Sequence, residues 1–409
     1  MKGLEGEIEG IPAALCVRCK GAKLLCGKAS CPIVTKLYLS SLIPGHIEGV
    51  AGNSPPSVFV GHNGYPRVRV GPSIPSDRGD TAIYDNPQEW ANFSVEEIAR
   101  LRFSLFRGYK VLRVDEASNP GRYLLDLHDM TVSSRPVPAE IEYAKFEGSV
   151  DYSPETQPFG PGGYLKRFTH SSSSSDPHIE KVYYDTDLNA KEGIVSLYKE
   201  ENVYTIQKAL SIGMIGKARF RRIVPTRWAI TAVDKMLSDH FLSIVSRCEE
   251  VDSYLYFHSR RIGNEYYVLI FPDAYWFEMI EVWNNGSIWT LDRQPVIESD
   301  YEKMGRMIST PKIGGSFFAA KLPVLEYLAR KGRKGGILLV RFIDGDYTMP
   351  LGVWQVRENV RDALKKENNL ESMEQFFSII DVRRSLNLKG YSKTYLFRKN
   401  QKRITEFVS

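Results

Sequence analysis

No stretch of this 409-residue sequence approaches the ~18 consecutive apolar residues needed to cross a bilayer, which excludes a transmembrane enzyme or transporter. Charge of one sign is scarce too. Lys plus Arg total 54 against 49 Asp plus Glu, a surplus of +5 that permits an acidic or nucleic-acid partner without demanding one. There is no H-E-x-x-H, no P-loop G-x4-G-K-[ST] and no G-x-S-x-G elbow, so three familiar routes to hydrolysis lack a motif. No repeat of 20–50 residues is evident. Met1 to Leu15 lacks a basic segment followed by a long apolar one, so no signal peptide is expected and a reducing, cytoplasmic compartment is the working assumption. The hydrophobic share of 43% is that of an ordinary globular protein, enough for a full core and two or three domains.

Cysteine is rare but not scattered. Of five cysteines, four fall in one short segment as Cys16, Cys19, Cys26 and Cys31, spaced C-x2-C-x6-C-x4-C. A C-x2-C pair can reach one ion, and a second pair returning after a short loop completes a tetrahedral sulfur shell. One structural zinc per chain is the expected cofactor, with no open position for catalysis. A disulfide staple, a redox pair and merely buried thiols compete; the first is disfavoured in a reducing cell and the second lacks a βαβ context. Cys248 reads as an inert core thiol.

The remaining pattern is α+β, with mixed, mostly antiparallel sheets, packed helices and a small N-terminal zinc-binding module. Residues 1–50 read as that module and its linker, residues 51–397 as the core with two subdomains dividing near 150–190, and residues 398–409 as a tail. Two β-rich runs flank Asn63-Gly64 between Ser57 and Pro72, which predicts a hairpin whose second strand carries Arg67 and Arg69 on one face. Ser94-Val-Glu-Glu97 is a capping box ahead of a helix. Residues 148 to 185 read as a mobile surface excursion. Lys217 to Ile223 reads as a strand, and Pro225-Thr226 opens an amphipathic helix. Further strands are expected at Tyr254–Phe257, Glu265–Phe271, Trp276–Trp283 and Ile337–Ile343. Helices are expected at Ser316–Arg330, interrupted by Pro323, and at Trp354–Lys366.

The last nine residues contain Gln401, Ile404, Phe407 and Val408. An aliphatic and an aromatic residue at i and i+3 on one turn can fill an apolar pocket, with the glutamine as a polar anchor. The spacing resembles the sliding-clamp (PCNA) interaction box, with Val408 where a second aromatic would stand. A helix end packed on its own domain is the plainer reading.

Two internal stretches are longer and more specific. Phe59-Val-Gly-His-Asn-Gly-Tyr-Pro-Arg-Val-Arg-Val-Gly-Pro72 and Arg219-Phe-Arg-Arg-Ile-Val-Pro-Thr-Arg-Trp-Ala-Ile-Thr-Ala-Val-Asp234, together with the cysteines and the tail, resemble the archaeal Nre DNA-repair protein family over nearly the whole chain. The resemblance implies a cytoplasmic archaeal protein of DNA repair with a zinc-binding N-terminus and a docking site for the clamp. It carries over no catalytic residue.

The residues themselves nominate a phosphate site. Arg219, Arg221, Arg222 and Arg227 cluster beside Thr226 at a helix start, where free N–H groups and guanidinium forks suit an anion; Arg67 and Arg69 are added from the hairpin. A solvated, ion-paired face is the plainer alternative. His62, in the hairpin turn, is the candidate acid or base. Three functions follow: a repair protein that grips DNA or nucleotides and docks on the clamp; a clamp-recruited hydrolase acting on a nucleotide or on damaged DNA; and an RNA-binding protein, which the clamp-like tail disfavours.

Overall fold

The computed structural model describes residues 10–21, 23–28, 31–35, 45–171, 176–291 and 293–400. Two six-stranded sheets organise the described residues, and both mix parallel with antiparallel pairs. The first runs in the order β1-β5-β6-β4-β3-β2, from β1 (Gly49–Ser54), β2 (Ser57–Val60), β3 (Arg67–Ile74), β4 (Phe106–Arg113), β5 (Val137–Phe146) and β6 (Gly162–His170). A two-residue parallel pair joins β7 (Glu249–Glu250) to the later β12 (Arg333–Lys334). The second sheet runs β11-β10-β13-β9-β8-β14, from β8 (Tyr254–Arg261), β9 (Asn264–Phe271), β10 (Trp276–Trp283), β11 (Val296–Lys303), β13 (Gly336–Ile343) and β14 (Asn368–Leu370).

The second sheet is the buried one. Every residue of β9 and β13 is buried, as their near-continuous apolar sequences require of strands covered on both faces. Tyr266, Val268 and Ile270 pack on one side with the helices, while Tyr267, Leu269 and Phe271 pack on the other. The strands expected at Tyr254–Phe257, Glu265–Phe271, Trp276–Trp283 and Ile337–Ile343 are all present here, and β10 pairs in parallel with β13 from Trp276↔Gly336 to Trp283↔Ile343.

The helices in chain order are α1 (Ala13–Cys19), α2 (Val95–Phe103), α3 (Arg122–Thr131), α4 (Pro177–Tyr184), α5 (Ala190–Leu197), α6 (Val203–Ser211), α7 (Thr226–Val245), α8 (Ser316–Lys331), α9 (Trp354–Ala363), α10 (Met373–Arg384) and α11 (Lys393–Asn400). The Ser94 capping box forms as the sequence indicates, with Ser94 Oγ accepting from Glu97 N and Glu97 Oε2 accepting from Ser94 N. Pro323 does not interrupt α8, although proline removes a helical hydrogen bond. The helix is buried from Ser316 to Leu325, so packing on both sides holds it together. α7 lies between the two sheets' helices, against α5 and α6 on one side and α8 on the other. At the far end, Glu278 of β10 accepts from Ser392 Oγ and from the backbone N–H groups of Lys393 and Thr394, capping α11 from a distant strand.

Three local readings change. Gly49 and Val50 are not linker but open β1, an edge strand paired with β5. Lys217 to Ile223 is not a strand: Ala218–Phe220 is a single 3₁₀ turn, and its neighbours are irregular. Residues 149–161 are not a mobile excursion. Val150, Ser153, Thr156 and Phe159 are buried there. Asp151 and Phe159 pair in a single antiparallel bridge, and the loop's other buried carbonyls must find donors elsewhere. Two buried arginines supply them: Arg102 Nε donates to Pro158 O, and Arg107 donates to Gly160 O and Ser149 O. The serines at 172–175 lie outside the described residues.

Candidate functional site

The first sheet places Val68 and Val70 of β3 in the main core and turns Arg67 and Arg69 to its opposite face. The connection from β2 to β3 is wider than a two-residue turn and holds His62, Asn63, Gly64, Tyr65 and Pro66. Gly64 has φ +84°, a conformation that suits glycine, and the turn closes with Arg67 N donating to Gly64 O. The buried loop 149–161 faces this connection across a cavity of about 510 Å³. His62, Arg67, Arg69, Arg107, Asp151 and Tyr164 border it.

The two long sequence motifs meet here. Thr226 Oγ1, on the first residue of α7, accepts from Val60 N at 3.0 Å. Arg227 Nη1 lies 3.4 Å from His62 Nε2, and Arg227 Nη2 pairs with Glu155 at 2.9 Å. A guanidinium can only donate, so Nε2 of His62 accepts and Nδ1 carries the ring proton. Burial and the charge of Arg227 both hold His62 below its ordinary value, against a smaller pull from Asp151 and Glu155, so the ring is neutral at pH 7.

Most of the arginine charge is answered. Arg69 donates to Tyr109 Oη and Tyr164 Oη and pairs with Glu147 at 3.2 Å, with its guanidinium carbon 4.8 and 5.1 Å from the two tyrosine rings. Arg107 sits over Phe59 at 4.5 Å and 3.8 Å from Asp151. Arg67 differs: it is exposed at the rim and has no carboxylate partner among the described residues.

The other arginines of the sequence cluster do not border this cavity. Arg221 is buried, donating to Gly216 O and Tyr183 O, because the 3₁₀ turn folds it inward. Arg219 and Arg222 are exposed. Sequence reading missed Arg107, Asp151, Glu155 and Tyr164, which reach the site from separate strands and from the loop. It also left Tyr65 and Trp228 unassigned, although both lie inside the quoted motifs; their rings meet at 5.2 Å with an interplanar angle of 55°.

Cys16, Cys19, Cys26 and Cys31 all border one small, almost wholly apolar cavity together with Ile11 and Trp289. All are free thiols, so no disulfide staples the segment. Burial pushes the Cys31 thiol up, backbone N–H groups of Val34 and Ile33 pull it down, and the neighbouring Cys19 and Cys16 push it up again. Four thiols lining one apolar pocket suit a thiophilic cation in number and chemistry, although no three of their sulfurs lie within 4.8 Å of one another. Among the described residues, one group brings three ligand atoms within 4.8 Å of one another, and it is Asp176, His178 and Glu201. There Asp176 already caps α4, and burial followed by the nearby Asp176 carboxyl pushes Glu201 up to about 7. Gln401, Ile404, Phe407 and Val408 lie outside the described residues.

No helix among the described residues is long and apolar enough to cross a membrane. The family profile for archaeal Nre, N-terminal, matches residues 25–290, and that for archaeal Nre, C-terminal, matches residues 302–407. The DNA repair protein NreA of Archaeoglobus fulgidus is 35% identical over 354 residues, 86% of this chain and 89% of the relative. The DNA repair protein NreB of the same organism is 31% identical over 399 residues, 96% of this chain and all of the relative. NreA of Haloferax volcanii is 31% identical over 379 residues, 86% of this chain and 89% of the relative. No solved structure matches at the same significance. The two motifs that meet at the cavity thus sit in a chain matched along most of its length, and that chain belongs to the archaeal Nre family.

Proposed function

We propose that this protein acts in DNA repair, binding DNA or a nucleotide at the cavity between the hairpin and the 149–161 loop and docking on the PCNA sliding clamp through its C-terminal tail. The observation that carries the first part is Arg67, without a carboxylate partner among the described residues, at the rim of a cavity of about 510 Å³, backed by Arg69 and Arg107 and by Arg227 behind His62. The relatives' names, each a DNA repair protein, support the process. A structural zinc at Cys16, Cys19, Cys26 and Cys31 belongs to the same reading, and so does a cytoplasmic location.

His62 favours a second reading, a clamp-recruited hydrolase of a nucleotide phosphoester or of damaged DNA. A neutral imidazole inside an arginine-rich cavity is suited to proton transfer. In the arrangement seen, Nε2 is already held by Arg227, so His62 is a hydrogen-bond donor through Nδ1 until that contact opens.

Titration of labelled DNA over a range of salt concentrations tests the binding reading. Arg67→Ala is expected to weaken binding and to reduce the salt slope by about 1, as loss of one phosphate contact does. Binding unchanged by Arg67→Ala would remove DNA from this cavity. Turnover of a nucleotide phosphodiester that vanishes in His62→Ala would move the assignment to the enzyme.

A further inference from the structure

We infer that Tyr65 and Trp228 form a stacking platform for an unpaired base, so that the DNA taken by this site is single-stranded. This rests on the proposed DNA-binding function and goes further by naming the form of DNA and the residues that read it.

Tyr65 is 52% exposed and Trp228 is 43% exposed, large apolar rings left in water beside a site where Phe59, Tyr109 and Phe159 are buried and Tyr164 is half-buried. Trp228 stands on the first turn of α7, while Ala229 and Ile230 beside it turn into the core. Tyr65 stands in the β2–β3 connection, and the rings meet at 5.2 Å with a tilt of 55°. That tilt opens a wedge instead of closing a stack, so ring faces stay available to a third planar group.

The surroundings say what that group is. Gly64, next to Tyr65, borders the cavity, and Arg227, next to Trp228, contacts the cavity residue His62. Arg67, two residues beyond Tyr65, is the cavity arginine with no carboxylate partner among the described residues. An aromatic surface beside an unanswered guanidinium matches a nucleotide, with the base on the rings and its phosphate at the cation. In a duplex the base faces are already stacked on their neighbours. Only a base released from the stack can lie on Trp228 and Tyr65.

The test compares oligothymidylate with a mixed-sequence duplex of equal length, by fluorescence anisotropy on the full chain. Trp228→Ala and Tyr65→Ala should each weaken oligothymidylate binding roughly tenfold, the order expected for one stacked base, and leave duplex binding unchanged. Trp228→Phe keeps a ring and should retain most of the affinity, which guards against a fold defect in the alanine variant. Arg67→Ala should weaken oligothymidylate binding as well. DNA binding that is lost with Arg67 but ignores Trp228 and Tyr65 overturns the platform and spares the DNA-binding reading. Equal losses for single strand and duplex overturn it too, since the aromatic pair would then only be holding the loop. An oligouridylate bound as tightly, with the same dependence on Trp228, overturns the assignment to DNA. Absence of DNA binding by the unmodified chain overturns both readings.

Discussion

Lys20 Nζ lies 3.0 Å from Glu281 Oε2, although 261 positions separate them in the chain. Lys20 ends the cysteine-bearing helix α1 in a left-handed conformation, which turns its side chain towards the second sheet. There it also donates to Ile313 O at 2.9 Å. Arg341 Nη1 holds the other oxygen of Glu281 at 2.7 Å. Burial pushes the Glu281 carboxyl up, but Lys20 and then Arg341 more than offset this and bring it down to about 2.

Removing Lys20 should therefore be costly. Lys20→Met leaves Glu281 buried with one cation instead of two, and the unfolding free energy should fall by about 3 kcal/mol in urea melts at neutral pH. A depressed carboxyl contributes stability that is full above its ordinary value of 4.5 and is lost as pH falls towards 2. With Lys20 gone the folded value rises, so acid unfolding should begin at a higher pH. Identical acid profiles for the two proteins would show that the contact carries no free energy.

The purified protein is expected to carry about one zinc per chain, and Cys16→Ser with Cys19→Ser should abolish it. Because Trp289 borders the thiol cavity, chelation should also change tryptophan emission. Metal content unaffected by the double substitution would leave the cysteines as buried thiols.

Calorimetry with the purified sliding clamp should give binding to the intact chain and none to Phe407→Ala. Since Glu278 caps α11 just before the tail, Glu278→Gln should loosen that helix yet leave clamp affinity in place. Equal heats for Phe407→Ala and the intact chain would make the last residues a packed helix end.

Glu201 offers a pH test of opposite sign. Its carboxyl, pushed up to about 7, holds a proton in the folded state that the unfolded state has released above its ordinary value of 4.5. Stability from this group should therefore fall as pH rises through that window. Glu201→Gln should flatten the fall, making the variant the more stable protein at pH 8 and leaving the two alike near pH 4.5. A parallel offset at every pH would place the effect in packing.

The strands of the second sheet were legible because burial on both faces demands uninterrupted apolar runs such as Tyr266–Phe271. The Ser94 cap and the long helix from Thr226 were legible from local chemistry alone. Half of the candidate site was legible too, since His62, Arg67, Arg69 and Arg227 lie in motifs that the fold brings together. Arg221 was misleading: alternation placed it on a strand face with Arg219, but the chain turns there and buries it against Tyr183. The loop from 149 to 161 was opaque for a different reason. Its burial depends on Arg102 and Arg107, which come from a helix and a strand some fifty residues earlier, and no local pattern announces donors at that range.

The parallel pairing of β10 with β13 bears on how such a chain can be inherited. The N-terminal family profile ends at residue 290 and the C-terminal one begins at 302, so each strand falls to a different profile. Eight consecutive residue pairs nevertheless bind the two strands in one register. A recombination that swapped either segment for a distant cousin's would have to preserve that register and both packed faces at once. Loss of the later segment would leave the edge of Trp276–Trp283 open to pairing with other chains. The two segments are thereby compelled to diverge in step.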